Sequence, residues 1–325
     1  MSDTPPKSEN RPLTAFAIVI GTVLLFASGD ILIKHLTTRY PVELIMAIRS
    51  VVGLLLILAF FWPRMGRTLW QIKRPRLVLC RGLVLVLGSL LIGHALRLMP
   101  VGETISILYS FPILVMILAI PLMGEQVSAI NWGFAVLGFI GVLMVARPGG
   151  GLDTLGVTFA LLTAILAAIF HLMTRVLSKT ETSHSLLFYT ILISVPCSFL
   201  LALFTWGGYF PNLMDLSLMA LPGFIIIAAH YLLTVAYKYA PASLVAPANW
   251  VHVVWAALLG WLFFDHLPDQ WTILGMLVII AAGVGIAIKT HRENSNHLTD
   301  TFISVSYTHL RAHETPEHRV CRLLL

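Results

Sequence analysis

Ten runs of about twenty apolar residues, most of them separated by very short connections, decide what this chain can be. They cover 13–33, 42–62, 77–98, 104–122, 127–146, 152–176, 184–205, 216–238, 243–264 and 270–289. A helix needs about 20 apolar residues to cross the hydrocarbon core of a bilayer. Inside lipid every backbone N–H and C=O must be satisfied within the protein, so only helices or closed barrels can span. The runs lack the ~10-residue alternation of barrel strands, which leaves helices. Composition agrees. Charged residues make up 11% of the 325 residues, hydrophobic residues 58%, and mean hydropathy is +0.88. A soluble domain carries about 25% charge, so the sequence predicts an all-α integral membrane protein with ten transmembrane helices.

The net charge of +6 is read as topology rather than as a nucleic-acid surface, because the basic residues gather in the connections. With the N-terminus inside, Lys7, Arg11, Arg64, Arg67, Lys73, Arg74, Arg76, Arg175, Lys179, Lys238, Lys289 and Arg292 fall inside, and Lys34, Arg39, Arg97 and Arg147 fall outside. That bias of 12 to 4 predicts a multi-pass protein of the cell (inner) membrane with both termini cytoplasmic. The first run is longer than a signal-peptide core, so it reads as a retained span.

Cys80, Cys197 and Cys321 form no CxxC pair, and no HExxH, Walker or GxSxG motif occurs. No metal, cofactor or catalytic residue is therefore assigned. Gly283-Val284-Gly285 lacks the third glycine and the preceding strand of a dinucleotide site and is read as helix packing. Ala160, Ala164 and Ala168 recur every fourth residue, the spacing that lets helix backbones approach. Val305–Thr315 reads like an in-frame translation of a transposase-type sequencing-library adapter. Residues from about 303 are accordingly read as an assembly artefact, with a short cytoplasmic tail as the alternative, and kept out of the fold argument.

The halves echo one another. Arg97 and Pro100 match Lys238 and Pro241 at an offset of 141, while Gly133 and Gly141 match Gly275 and Gly283 at 142. The sequence divides into a cytoplasmic segment 1–12, a first five-helix repeat 13–148, a second 149–290 and a tail 291–325. Five is odd, so the second copy enters the membrane from the opposite face. The fold expectation is two inverted five-helix repeats, an arrangement of secondary transporters that places the substrate near the midplane.

Particular motifs fit one family. Leu122-Met123-Gly124-Glu125 follows a proline-bearing fourth span, and Gly138-Phe139-Ile140-Gly141-Val142 and Arg147-Pro148-Gly149 come next. Asp30 to Lys34, Tyr40-Pro41 to Glu43, and Arg49 fit the start of the pattern. Over about residues 13–290 the chain resembles the EamA-type family of the drug/metabolite transporter superfamily. The second half departs from the pattern, with Phe264-Asp265-His266 where a Gly-Glu would stand. The resemblance implies two five-helix bundles that move small metabolites, in either direction.

Ionisable residues inside spans are costly and serve as pathway candidates. Asp30 and Arg49 differ in depth by roughly 5 Å, so they are expected to pair, as a gate or as a structural lock. His94 and Glu103 fall in the outer half, Glu103 as a proton acceptor or a helix-start carboxylate. His171 and His230 fall toward the inner side. His252 lies about 14 Å into its span, with Asn249 one face-turn before it and Trp250 adjacent. Asn249, Trp250 and His252 are the expected substrate-binding residues, and Asp30, Arg49, His94, Glu103, His171 and His230 the expected gating or proton-coupling groups. Interhelical hydrogen bonding is the alternative role for each. Pro112, Pro121 and Pro247 mark expected breaks.

The expected function is a secondary transporter of a small polar or zwitterionic metabolite working by alternating access, with a proton as candidate coupling ion and the bilayer as its surroundings. An integral-membrane enzyme or a channel is the alternative, and nucleic acid is not an expected partner. Oligomeric state is left open. A cysteine introduced into the 64–76 loop is expected to resist an impermeant maleimide in intact cells and to react after permeabilisation. Labelling in intact cells contradicts the orientation.

Overall fold

The computed structural model describes residues 12–123, 129–146, 151–177, 180–208, 210–239, 251–285 and 288–289. Within them lie α1 (Pro12–Thr37), α2 (Val42–Met65), a 3₁₀ turn (Gly66–Trp70), α3 (Pro75–Leu98), α4 (Val101–Leu108), α5 (Phe111–Met123), α6 (Ala129–Ala146), α7 (Thr154–Leu177), α8 (Ser183–Thr205), α9 (Leu213–Tyr239) and α10 (Val251–Phe264). The last is α11 (Gln270–Gly285). No strand occurs among the described residues. Six helices, α1–α3 and α7–α9, are long and apolar enough to cross a membrane, and the other expected spans hold shorter apolar helices. Large apolar side chains such as Leu87, Phe204, Leu262 and Phe263 are exposed on the outer surface. The protein is an all-α, multi-pass membrane protein.

Helix starts follow side-chain chemistry. Asp153 accepts from the Gly156 N–H at 2.7 Å, Thr182 from Ser185 at 3.1 Å, Asn212 from Asp215 at 2.7 Å and Asp269 from Thr272 at 2.8 Å. Each supplies an acceptor to a first-turn N–H that the helix leaves unpaired. Among the described residues, the fourth expected span is interrupted. It is two helices, α4 and α5, with Tyr109 and Ser110 between them. Pro112 has no N–H for the Leu108 carbonyl, so α4 ends there. The proline then sits in the first turn of α5, where no donor is needed. Pro121 lies inside α5 without ending it, and Pro247 lies outside the described residues.

The two halves pack with two-fold symmetry and opposite direction. The second helices of the halves meet as α2 against α8. Ser50 and Ser194 share a hydrogen bond of 2.7 Å, Gly53 faces Ile191, and Phe61 lies 5.3 Å from His184. Advancing along α2 means retreating along α8, so the pair is antiparallel. The fifth helices behave likewise. Phe134 meets Gly285, Gly138 meets Ala282, and Gly141 meets Ile279 and Gly275. The principal remaining contacts between the halves come in matched pairs: α1 on α9 with α3 on α7, α2 on α9 with α3 on α8, and α1 on α10 with α4 and α5 on α7. Corresponding helices that run antiparallel are what an inverted duplication produces. Ala160, Ala164 and Ala168 are fully buried, which agrees with close packing of α7.

Two polar ties, one at each end of the bundle, occupy matching positions. At one end Tyr40, after α1, donates its hydroxyl to Asp215 of α9 at 2.6 Å, with Arg39 3.7 Å from the same carboxylate. That hydrogen bond holds the Tyr40 phenol above its ordinary pKa. At the other end Glu181, after α7, accepts the N–H groups of Lys73 and Arg74 at the start of α3, at 2.9–3.0 Å. The offset of 141 carries Tyr40 onto Glu181 and Arg74 onto Asp215.

A Cβ on Gly141 would sit 2.9 Å from the Gly275 carbonyl oxygen, and one on Gly275 would sit 2.8 Å from the Gly141 carbonyl. Neither backbone can retreat without parting the halves. Gly141→Leu is expected to cost at least the roughly 1–3 kcal/mol typical of overpacking and to lower the melting temperature of detergent-purified protein. At Gly133, where nothing lies within 4 Å, Gly133→Ala is expected to leave it within two degrees or so. Equal melting of both variants contradicts the close crossing.

Candidate functional site

A polar cluster forms where α1, α10 and the α4–α5 break meet. Asp30 Oδ2 of α1 lies 3.2 Å from His252 Nε2 of α10. On the other side of the imidazole, Nδ1 lies 3.3 Å from the Tyr109 hydroxyl. The helix break explains why a tyrosine can be here: Tyr109 caps α4 at mid-span, where a continuous helix would offer only its side. Phe26 closes the cluster, with its ring centroid 6.2 Å from His252 and 5.4 Å from His230. His252 is 6% exposed. Asp30 Oδ2, His252 Nε2 and the neighbouring Trp255 Nε1 are buried without a hydrogen-bond partner among the described residues. Buried polar atoms are normally satisfied, and a buried carboxylate costs several kcal/mol unless compensated. A carboxylate and an imidazole brought this close without hydrogen-bond alignment therefore mark a place suited to a bound polar group or a proton.

The same contact recurs in the other half with different residues. His171 of α7 stacks on Phe111 of α5, with centroids 4.8 Å apart and planes 7° apart. The offset of 141 carries Asp30 onto His171 and Phe111 onto His252, so the two contacts are symmetry mates. Two arginines complete the neighbourhood. Arg81 of α3 is buried and donates to Thr174 Oγ1 at 2.7 Å, Thr190 Oγ1 at 2.6 Å and the Leu186 carbonyl at 3.2 Å, with its guanidinium 4.2 Å from the Phe170 ring. Neutral oxygens and an aromatic face thus hold it. Arg49 of α2 is within electrostatic reach of Asp30, and both arginines are within reach of His230.

One expected pairing differs in the structure. Asp30, expected against Arg49, has His252 as its ion-pair contact among the described residues. The cause is helix order: α1 packs chiefly on α9 and α10, while α2 turns to α8 and α9. His94 and Glu103 lie apart from the cluster, at the end of the bundle where α1 finishes and α4 begins. There His94 Nε2 lies 3.2 Å from Glu43 Oε1, and Glu103 Oε1 lies 2.8 Å from His266 Nε2. Asn249 and Trp250 lie outside the described residues. Tyr109, Phe111, Phe26 and Arg81 escaped the sequence reading. An arginine six residues into an apolar helix that starts at Pro75, and a Tyr-Ser pair just before Pro112, were the available signals.

Comparison with known proteins bears directly on this arrangement. The EamA-like transporter family model matches twice, over residues 13–147 and 154–288. The chain belongs to the EamA-like transporter family. It is 26% identical over 296 residues to an S-adenosylmethionine uptake transporter of Rickettsia bellii, covering 89% of this chain and all of that one. It is 24% identical over 266 residues to a pseudopaline exporter of Pseudomonas aeruginosa, covering 81% and 92%. A solved crystal structure shares the fold with a TM-score of 0.64 at 19% identity, covering 86% of this chain and 98% of the other. The chain is a secondary transporter of small metabolites, and the cluster lies where EamA-like helices of both halves converge.

Because Asp30 faces His252 at contact distance and Arg49 only at a longer range, the two pairs should couple differently. In double-mutant cycles read by thermal stability, Asp30→Asn with His252→Gln is expected to show about 0.5–3 kcal/mol of coupling. Asp30→Asn with Arg49→Gln is expected to show less. Additivity of the first pair contradicts the contact.

Proposed function

We propose that this EamA-like protein is a carrier of a small polar or zwitterionic metabolite, bound between residues 13–148 and 149–290 as functional halves and moved by alternating access. Ten crossings, cytoplasmic termini and residence in the cytoplasmic membrane belong to this reading, on the strength of the 12-to-4 bias in basic residues. The observation that carries it is the Asp30–His252 contact, in which two buried polar atoms approach at 3.2 Å with no hydrogen bond to satisfy either. A substrate amine or hydroxyl, or a proton shared between carboxylate and imidazole, would fill that need. Tyr109 orients the imidazole from Nδ1, and Phe26 and Phe111 supply aromatic walls. Asn249 and Trp250, which precede His252 in the sequence, are assigned to substrate binding in this reading. His171, His230 and Arg49 set the charge around it, while His94 and Glu103 act at the outer end in gating.

The relatives span uptake of S-adenosylmethionine and export of pseudopaline. Both directions are compatible with one reversible carrier, and a proton coupled through Asp30 and His252 would set which one prevails.

Vesicle uptake of a panel of labelled metabolites, with and without an imposed pH gradient, tests this. At least one small polar or zwitterionic solute is expected to accumulate, and His252→Gln, which removes titration while keeping size, is expected to flatten the pH dependence and weaken apparent affinity at least several-fold. Wild-type affinity and pH profile in that variant would remove His252 from the site.

A further inference from the structure

A charged cavity lies at the end of the bundle where α1 finishes, α4 begins and α10 ends. It has a volume of about 290 Å³ and is lined by Lys34, Glu103, His266, Phe264 and the backbone of the α3–α4 link. Its two poles are held in different ways. Lys34 Nζ donates to the carbonyls of Leu96 at 2.8 Å and Met99 at 2.7 Å. An ammonium has three donors, so one remains for the cavity. The ammonium also lies 5.6 Å from the Phe264 ring. Glu103 is 3% exposed, and His266 occupies only its Oε1. Its Oε2 is buried with no partner among the described residues.

A structural lock would bring Lys34 and Glu103 into direct contact. Among the described residues they make no ion pair within contact distance, although Glu103 acts on Lys34 electrostatically. One cationic donor and one anionic acceptor therefore share a small cavity without satisfying each other. Burying a carboxylate oxygen without a partner is expensive, and a ligand ammonium would offset that cost. Its carboxylate would meet Lys34. At Gly260 an added Cβ meets nothing closer than 3.9 Å, so the cavity is not tightly closed on the α10 side. The volume sits near the lower end of the ~300–1,000 Å³ range of ligand pockets, which suits a compact ligand.

We propose that this cavity is a binding site for small α-amino-acid-type zwitterions, with the ligand ammonium on Glu103 Oε2 and its carboxylate on Lys34. It is separate from the central cluster and does not depend on that cluster being the transport site. A solute held there would be captured from one side of the membrane before entering the pathway, which raises its local concentration at the entrance.

The test uses the full chain purified into lipid nanodiscs and radiolabelled L-methionine as probe, read by scintillation proximity. Saturable binding is expected, with N-acetyl-L-methionine (no ammonium) and L-methioninamide (no carboxylate) competing at least tenfold less well than L-methionine. Glu103→Gln keeps an acceptor for His266 and is expected to weaken binding at least tenfold. Gly260→Val fills the cavity without removing a charge and is expected to do the same, so a folding fault in one variant does not decide the matter. Gly133→Ala, on α6 where an added Cβ meets nothing within 4 Å, is expected to bind within twofold of wild type. Absence of saturable binding, equal competition by the two analogues, or wild-type binding by both Glu103→Gln and Gly260→Val overturns the proposal. So does loss in His252→Gln with retention in Glu103→Gln, which assigns the binding to the centre. Failure of vesicle transport leaves this binding result intact, so the two readings fail separately.

Discussion

Everything in this molecule depends on two antiparallel helix crossings between its halves. At one, Gly141 and Gly275 bring the backbones of α6 and α11 so close that neither position has room for a methyl group. At the other, the Ser50–Ser194 hydrogen bond and the Gly53–Ile191 contact join α2 to α8. In a bilayer no hydrophobic force separates helix from lipid, so association rests on close packing and interhelical hydrogen bonds. Both devices are used here, and each joins corresponding helices of the two halves. Once these helices are fixed antiparallel, α1 must meet α9 and α10, and α7 must meet α3 and α5. The polar residues on those helices are brought together as a consequence.

The symmetry is chemical only in part, and that asymmetry is informative. Asp30 facing His252 in one half corresponds to His171 facing Phe111 in the other. One contact sets a carboxylate against an imidazole and the other is an aromatic stack. At the bundle ends, Tyr40 with Asp215 corresponds to Glu181 with two backbone N–H groups. Duplication conserved where helices touch, and divergence changed what touches. A carrier needs this combination. Matched geometry lets the two ends exchange roles, and unmatched chemistry gives the site a polarity that a substrate can read.

Much of this was legible in the sequence because membranes impose a strong rule. Backbone satisfaction forces helices, and the 141–142 offset of Pro100, Gly133 and Gly141 predicts the duplication that the paired contacts display. The candidate site was legible as a set of costly residues: Asp30, Arg49, His171, His230 and His252 do converge. Their pairing was not legible, because depth along a helix says nothing of which helix lies beside it. Asp30 and Arg49 differ in depth by only roughly 5 Å, but α1 turns to α10 and α2 to α8. The break at Tyr109 was hinted at by Pro112, but that it delivers a phenol to His252 is a product of three-dimensional packing. Glu103 and His266 lie 163 residues apart, and no local pattern joins them.

The central claim is that the inverted halves rock about the Asp30–His252 level, opening one end as the other closes. Pulsed electron-spin distances in liposomes measure this directly, with spin labels at Thr38 and Leu213 for the Tyr40–Asp215 end and at Lys73 and Ser183 for the Glu181 end. All four positions are exposed. On addition of a transported solute, the account predicts that the distance populations at the two ends shift in opposite directions. Both ends lengthening together, or both staying fixed while transport proceeds, would contradict it.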